Sequence, residues 1–541
     1  MSFVEKAKNF DVAKMARTWW QGKPPAAKTA FLAALLAGYV SHLFVYTGRY
    51  FGMDDMGRIQ DEIGPVGTGR WFNGWIISVL TQYYVLPMVS GILVSFFLAV
   101  AALYICTVLG INKKSNAVLA GILLSTFPSI ANTNIYLTYT IDYHFAVLLA
   151  VLAVYITLKY KFGYLAGAVL AMLTLAIYQS KLNIAIALCL FYLSLQLLKG
   201  VSLKRIGGCA VRLALLIGLG GIFYAISLPI SMRVFNTAFN DYKGMSPGSI
   251  QERLLSVTTI GRAIAHMYMS YFDGFFSNMF LNVFYIKHTY LVVFLLTALF
   301  VVLIVIKQEL YKQWGRLLLL AAAFALVPFG SNFASLFDSG GVYGVMTYSY
   351  VLLLVFAIAV SEQCDNVYPL AKSLFMLALV LIIVNYVSGN NIYYLRAHYQ
   401  NQRTFSLTVR VLDRIEPLLP LASENKVTVF GALPNEYLPG GTRFGASAEN
   451  LREGSALFKG VFLNYDMESG PFALHQFGGN ISNNHGIRLS MLAEGEERER
   501  LRQKVLDTDM PVWPAEGAVA VLDGVVVVNF GIADEAGGEG R

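Results

Sequence analysis

Ser90-Gly-Ile-Leu-Val-Ser-Phe-Phe-Leu-Ala-Val-Ala-Ala-Leu-Tyr-Ile-Cys-Thr-Val-Leu-Gly110 contains no charged side chain. Roughly 20 apolar residues, rising 1.5 Å each as a helix, cross the hydrocarbon core of a bilayer, so this stretch reads as a transmembrane helix. Lipid offers no hydrogen-bond partners, and a helix satisfies its backbone within one segment. The run is continuous, not alternating, which excludes a strand of a β-barrel. The same pattern returns at Thr29–Tyr46, Leu213–Ile230, Leu291–Ile306 and Leu374–Val387. Composition agrees: hydrophobic residues make up 56%, charged residues 14%, and mean hydropathy is +0.56. Soluble domains carry roughly 25% charged residues.

The net charge of +8 is informative through its placement. Lys6, Lys8, Lys14, Arg17, Lys23 and Lys28 precede the first apolar run, and the positive-inside rule puts that end in the cytoplasm. Basic residues then return on alternate connections: Lys113/Lys114, Lys159/Lys161, Lys199–Arg212, Lys307–Arg316 and the Glu362–Lys372 link. The alternation predicts an α-helical polytopic membrane protein of about eleven spans at roughly 20 residues each, with its C-terminus outside. No small-residue cleavage site follows the first apolar run, so no cleaved signal peptide is expected. Cys106 and Cys189 fall within spans, and Cys209 and Cys364 on predicted cytoplasmic links. No disulfide scaffold and no zinc-ligand spacing follow from such a scatter.

Residues 1–28 read as an amphipathic helix lying at the membrane surface or as the basic flank of the first span, with Trp19 and Trp20 suited to the interface. Residues 29–390 form the transmembrane region. Its long connections are 47–74, 231–288 and 328–346, all on the predicted outer face, where loops on rigid scaffolds carry function. From 391 to 541 the composition shifts towards a soluble, outer α/β domain. Gln400–Pro420 predicts an amphipathic helix, Lys426–Phe430 a strand, Glu494–Leu506 a charged helix, and Ala518–Phe530 a hairpin around Asp523-Gly524.

The first outer segment carries the densest chemistry. It reads Met53-Asp-Asp-Met-Gly-Arg58 and continues through Gly69-Arg-Trp71. Asp54 and Asp55 lie a few residues past a span, with Arg49, Arg58 and Arg70 around them. A sugar carried on a lipid phosphate leaves a phosphate, already a stable anion, so no acid is needed to protonate it. One carboxylate can then act as general base on an acceptor hydroxyl, a second can hold sugar hydroxyls or a divalent cation, and arginines can grip the phosphate through two parallel hydrogen bonds. The bland alternative is a solvated loop whose aspartates and arginines pair with each other.

These residues, together with Ile177-Tyr-Gln-Ser-Lys-Leu-Asn183, Asn391-Ile-Tyr-Tyr394 with Asn401-Gln402, and Met510-Pro-Val-Trp-Pro514, resemble the serotype-converting O-antigen glucosyltransferases of the Gtr type (the type II family), members of the GT-C superfamily. The resemblance implies a GT-C-like membrane fold in a bacterial inner membrane. It also implies transfer of a hexose, glucose in that family, from undecaprenyl phosphate to a surface polysaccharide or glycolipid on the periplasmic face. GT-C enzymes place a catalytic aspartate in the first outer loop, and Asp54 and Asp55 are the matching positions. The acceptor and the role of the C-terminal domain are not spelled out by these motifs.

Further candidates lie on the same predicted face. Tyr136, Tyr139 and Tyr143 suit an interfacial belt, while Asp142 and His144 among them can bind sugar from the aqueous side. Gln179 and Lys181 sit at the next helix end, where Lys181 meets the donor phosphate or snorkels to headgroups. His266, Lys287, His288, Asn332 and Asp338 are weaker candidates, and a lone histidine is more often a structural one. A transporter or flippase of a lipid-linked sugar is the rival class. Such proteins favour internal repeats and ionisable residues at mid-bilayer, and neither pattern is present. No phosphate-cradling glycine loop or nucleophile elbow occurs. The basic charge follows membrane topology, so lipid is an expected partner and nucleic acid is not.

Overall fold

A computed structural model of the chain describes residues 11–48, 66–240, 247–276, 286–338, 341–364, 369–432, 467 and 471–532. Its body is a helical bundle built from α1 (Val12–Gln21), α2 (Pro25–Thr47), α3 (Trp75–Thr81), α4 (Pro87–Leu109), α5 (Lys114–Thr126), α6 (Pro128–Asn134), α7 (Thr140–Lys159), α8 (Gly163–Ile177), α9 (Leu182–Leu198) and α10 (Leu203–Val234). Then come α11 (Pro247–Leu255), α12 (Val257–Phe276), α13 (Ile286–Lys307), α14 (Trp314–Ser331), α15 (Val351–Glu362) and α16 (Pro369–Ile415). Among the described residues, nine helical stretches have the length and apolar character to cross a membrane. The sequence pattern predicts about eleven. The difference lies in short helices: α8 has 15 residues and α5 has 13, and Pro128 redirects the chain after α5 into α6.

Prolines open α2, α4 and α6, where the missing N–H is an orphan in any helix and φ is already set. Small residues decide which helices pack closely. Ala27, Ala30, Ala34, Gly38 and Ser41 form a buried stripe on α2 at helical spacing. A Cβ on Gly121 of α5 would stand 2.5 Å from the Ala30 carbonyl oxygen, and one on Gly91 of α4 would stand 2.4 Å from the Tyr46 ring. Without a hydrophobic drive between helices in lipid, such backbone approach is the main source of packing energy.

Every basic link lies at one end of the bundle. There Glu362 accepts from the backbone N–H groups of Asn112 and Lys113 at 2.8 and 3.1 Å. Arg316 donates to the carbonyls of Leu197 and Val201 at 3.1 and 2.9 Å. The amphipathic α1 is followed at the same end by Lys23, whose ammonium donates to the Tyr104 hydroxyl (3.2 Å) and lies 5.0 Å from the Trp19 ring centre. At the opposite end lie the Gly69–Gly74 bend and the Gly344–Tyr350 turn.

Through the middle runs a polar cluster. His42 Nε2 lies 3.0 Å from the Ser125 carbonyl, which only accepts, so Nε2 carries the proton. Its Nδ1, 2.6 Å away, then accepts from the Tyr394 hydroxyl. Asn134 donates to the hydroxyls of Tyr46 and Tyr394 at 3.1 and 3.3 Å.

The predicted span at 374–387 and the predicted amphipathic helix from Gln400 are one uninterrupted helix of 47 residues, α16, so the expected boundary at 391 falls inside it. Beyond α16 come β1 (Lys426–Phe430), α17 (Pro471–His485), β2 (Ser490–Met491), α18 (Glu496–Asp507), β3 (Val519–Leu522) and β4 (Val525–Asn529). The sheet order is β2-β1-β4-β3, with β1 parallel to both neighbours and β3 antiparallel to β4. Asp523 and Gly524 both take positive φ, as a two-residue hairpin turn matched to strand twist requires. Its core joins Val427, Val429, Val526 and Val528 of the sheet to Phe477 and Ile481 of α17 and to Val411 and Ile415 of α16.

Candidate functional site

Asp54, Asp55 and Arg58, and with them Arg49, lie outside the described residues. The description resumes at Val66 with a 3-10 turn, Val66–Thr68, and a tight bend through Gly69 to Gly74. Gly69 and Gly74 sit at φ +83° and +90°, a left-handed region that side chains strain to adopt. A Cβ on Gly69 would also stand 2.4 Å from the Tyr224 hydroxyl. The bend is pinned to the bundle by hydrogen bonds to distant helices. Phe72 N–H donates to the Ala176 carbonyl (2.9 Å), and the Gln179 amide donates to the Thr68 carbonyl (3.0 Å). The Tyr224 hydroxyl donates to the Gly69 carbonyl (3.0 Å) and accepts from Gln179 (3.1 Å).

That bend delivers Arg70 to a stack of tyrosines. The Tyr139 and Tyr143 rings stack at 5.6 Å, 12° apart in plane, and Tyr143 and Tyr178 at 4.3 Å and 14°. Arg70 donates to the Tyr143 hydroxyl at 3.3 Å, and its guanidinium centre lies 4.7 Å from the Tyr178 ring centre. Lys181 approaches the same two rings, its ammonium 5.8 Å from Tyr143 and 5.7 Å from Tyr178, while donating to the Val345 carbonyl at 2.7 Å. The two cations thus meet at the Tyr178 ring, with Arg70 also bonded to the Tyr143 hydroxyl and Lys181 also near the Tyr143 ring. Ring faces hold cations in place, and Lys181, 2% exposed, is fixed between these rings and the Val345 carbonyl.

Arg70, Gln179 and Lys181, separate candidates in the sequence, come together at this end of the bundle. Asp142 belongs to the same assembly as a support. Its carboxylate accepts from Gly74 N–H at 3.2 Å, fixing the end of the Arg70 bend. His144 does not join them: its Nδ1 donates to the Thr140 carbonyl one turn back, at 2.7 Å. Asp142 and His144 are expected on an aqueous surface but are buried, 0% and 2% exposed. The first turn of α7 lies under the Gly69–Gly74 bend, which takes the place of water. Tyr139 and Tyr143 form the stack under Arg70 in place of an interfacial belt.

The sequence reading missed three contributors. Tyr178 and Asn73 stand only inside longer stretches around Gln179 and Arg70, and Tyr224 lies in an apolar run with nothing to mark it. Asn73 is 1% exposed, and its amide oxygen and nitrogen have no hydrogen-bond partner among the described residues. The buried Ser180 hydroxyl and the Asn183 amide nitrogen share that condition. A buried polar group left unpaired costs about 1–3 kcal/mol. All three lie within three residues of Arg70 or Lys181 along the chain. Among the described residues, no three His, Cys, Asp or Glu side chains gather as a metal site.

The family model for Glucosyl transferase GtrII matches residues 43–356, more than half of the chain. The match includes the Asp54-Asp55 segment, the Arg70 bend and the Tyr178–Asn183 stretch, and ends before Asn391-Ile-Tyr-Tyr394 and Met510-Pro-Val-Trp-Pro514. No curated protein and no solved structure matches the chain.

Proposed function

The chain belongs to the glucosyl transferase GtrII family, and from that premise we propose that it is an inverting hexosyltransferase. Its donor is a hexose, glucose, on a polyprenyl phosphate, and its acceptor is a surface polysaccharide such as O-antigen, or a glycolipid. The observation that carries this reading is the pair of cations, Arg70 and Lys181, gathered at the Tyr143–Tyr178 stack. A carrier phosphate docks against them at the end of the bundle where the lipid headgroup lies, and Arg58 of the same segment is assigned to that phosphate too. An acceptor hydroxyl attacks the anomeric carbon from the face opposite the phosphate. As the new glycosidic bond forms, the bond from carbon to phosphate oxygen breaks and its electron pair leaves with the phosphate. Asp55 or Asp54 takes the hydroxyl proton. The cations act most strongly on the oxygen that gains charge as this bond breaks, so they stabilise the transition state more than the bound donor.

The basic links gathered at one end support a cytoplasmic placement for that end. The opposite end, with Arg70, Lys181 and the C-terminal sheet, is then periplasmic in a bacterial inner membrane.

The reading is tested by mass spectrometry of cell-surface glycans and glycolipids from cells with the gene, without it, and with Asp54→Ala/Asp55→Ala or Arg70→Ala. The expected result is one hexose-sized mass present with the wild type, missing without the gene and in the double aspartate variant, and reduced in Arg70→Ala. Identical glycans in all four strains would overturn it.

A further inference from the structure

A concavity opens beside α11 and α12, with a volume of about 970 Å³, at the upper end of the roughly 300–1,000 Å³ typical of ligand sites. Glu252 and Arg253 of α11, Arg262 and His266 of α12, and Ser335 and Asp338 after α14 line it. Two carboxylates and two guanidiniums balance in formal charge, so the cleft selects neither an anion nor a cation. What such a lining does match is a neutral polyol, whose hydroxyls donate to carboxylates and accept from guanidinium and hydroxyl groups. Ser335 adds an independent sign of a ligand: it is 5% exposed, lines the cleft, and its hydroxyl has no hydrogen-bond partner among the described residues.

The cleft is coupled to the Arg70–Lys181 site through one shared wall. The turn Phe333–Leu336 is held to the start of α9 by Ala334 N–H donating to the Asn183 amide oxygen at 3.0 Å. The same wall is held to α12 by the Asn332 amide donating to the Met267 carbonyl at 2.8 Å. Asn332 in turn accepts from the Tyr350 hydroxyl at 2.9 Å. Lys181 itself is bonded to Val345, a few residues beyond Gly341 of the cleft lining.

We infer that this cleft binds the saccharide acceptor, a neutral hydroxyl-rich chain several sugars long, and presents one hydroxyl towards the Arg70–Lys181 site. The assignment rests on the transferase reading, with the donor phosphate at one side of the Phe333–Leu336 wall and the acceptor at the other.

Two measurements on full-length protein in lipid nanodiscs test it. The first is direct binding of the lipid-free polysaccharide released by mild acid from the host cell's own surface glycolipid. The second is hexose transfer to it from a short-chain isoprenyl-phosphate glucose. The variants are Arg262→Ala, at an exposed position, and Ala265→Trp, which fills the cleft from another exposed position on α12. Both should weaken polysaccharide binding about tenfold or more, equivalent to about 1.4 kcal/mol. Both should raise the acceptor KM in parallel and leave the donor KM unchanged. Wild-type binding in Ala265→Trp, or tight binding of inorganic phosphate in the same cleft, would overturn the assignment. Variant-sensitive binding without any transfer by the wild type would retain the saccharide site and refute the transferase reading instead.

Discussion

Arg70 meets Tyr143 with its guanidinium edge and Tyr178 with its face, and a planar, forked cation is the side chain that can do both. Arg70→Ala should therefore lower kcat/KM for hexose transfer by about 10- to 100-fold, the value of one hydrogen bond to a charged group at about 1.5–3 kcal/mol. Arg70→Lys should recover only part of that, since it keeps the charge and loses the fork. Assays on washed membranes with a synthetic donor would show it, and wild-type rates in Arg70→Ala would remove Arg70 from the site. At this scale the sequence is half legible. Arg70, Gln179 and Lys181 stand out as polar residues at the ends of apolar runs. Their partners do not, because the bonds joining Tyr224 to Gly69 and to Gln179 span 155 and 45 positions, and no local pattern encodes them. His144 misleads for a related reason: on a helix apolar all round, nothing marks which face meets water. A different histidine makes a pH prediction. His485 accepts from or donates to the Thr408 hydroxyl at 2.9 Å and stacks on Phe405, and burial holds its imidazole below the ordinary value of 6.5. The folded state thus favours the neutral ring, and its stabilisation is complete above about pH 6.5 and declines as the pH falls below it. The thermal midpoint of the full chain in detergent should drop over that interval, and His485→Gln should flatten this part of the profile.

Among the elements, α2 shows what sets helix order in the bundle. Its small-residue face admits the backbone of α5 so closely that Gly121 has no room for a Cβ. Gly121→Val should cost about 1–3 kcal/mol through overpacking, seen as a lower melting temperature in detergent. Gly207 on α10 faces open space, and Gly207→Ala should be neutral or stabilise by up to about 1 kcal/mol. Equal effects of the two changes would refute this account of the packing. Hydropathy locates most of these helices, because the penalty for exposing polar groups to lipid is large and local. Its count of about eleven includes the short α5 and α8, and it misplaces one joint, where α16 runs on as a single helix. α5 and α8, at 13 and 15 residues, are shorter than a full bilayer crossing. α16 continues past its apolar part because neither Gly389 nor the polar residues that follow break a helix whose next turns pack on the sheet.

For the molecule as a whole, the gathering of the basic links at one end yields a topology test. In a Cys209→Ser background, cysteines at Lys161 and Lys312 should react with an impermeant thiol reagent from one side of the membrane only. A cysteine at Gln82 or Thr237 should react from the other side. Labelling of all four from one side would disprove the topology. The alternation of charge along the sequence predicts this layout, since it reflects how the chain is inserted. The arrangement at the opposite end is much less legible, because the Arg70 bend, the Tyr178–Asn183 stretch and the turn holding Val345 come from separate parts of the chain. The rod formed by α16 has a further consequence, for the time course of synthesis. Tyr394 satisfies His42 across 352 positions, so a buried imidazole in the first large helix waits without its hydroxyl partner until α16 has left the ribosome. Until then the polar centre of the bundle is incomplete, and a nascent chain stalled before α16 would present quality-control proteases with a membrane protein whose middle is still open.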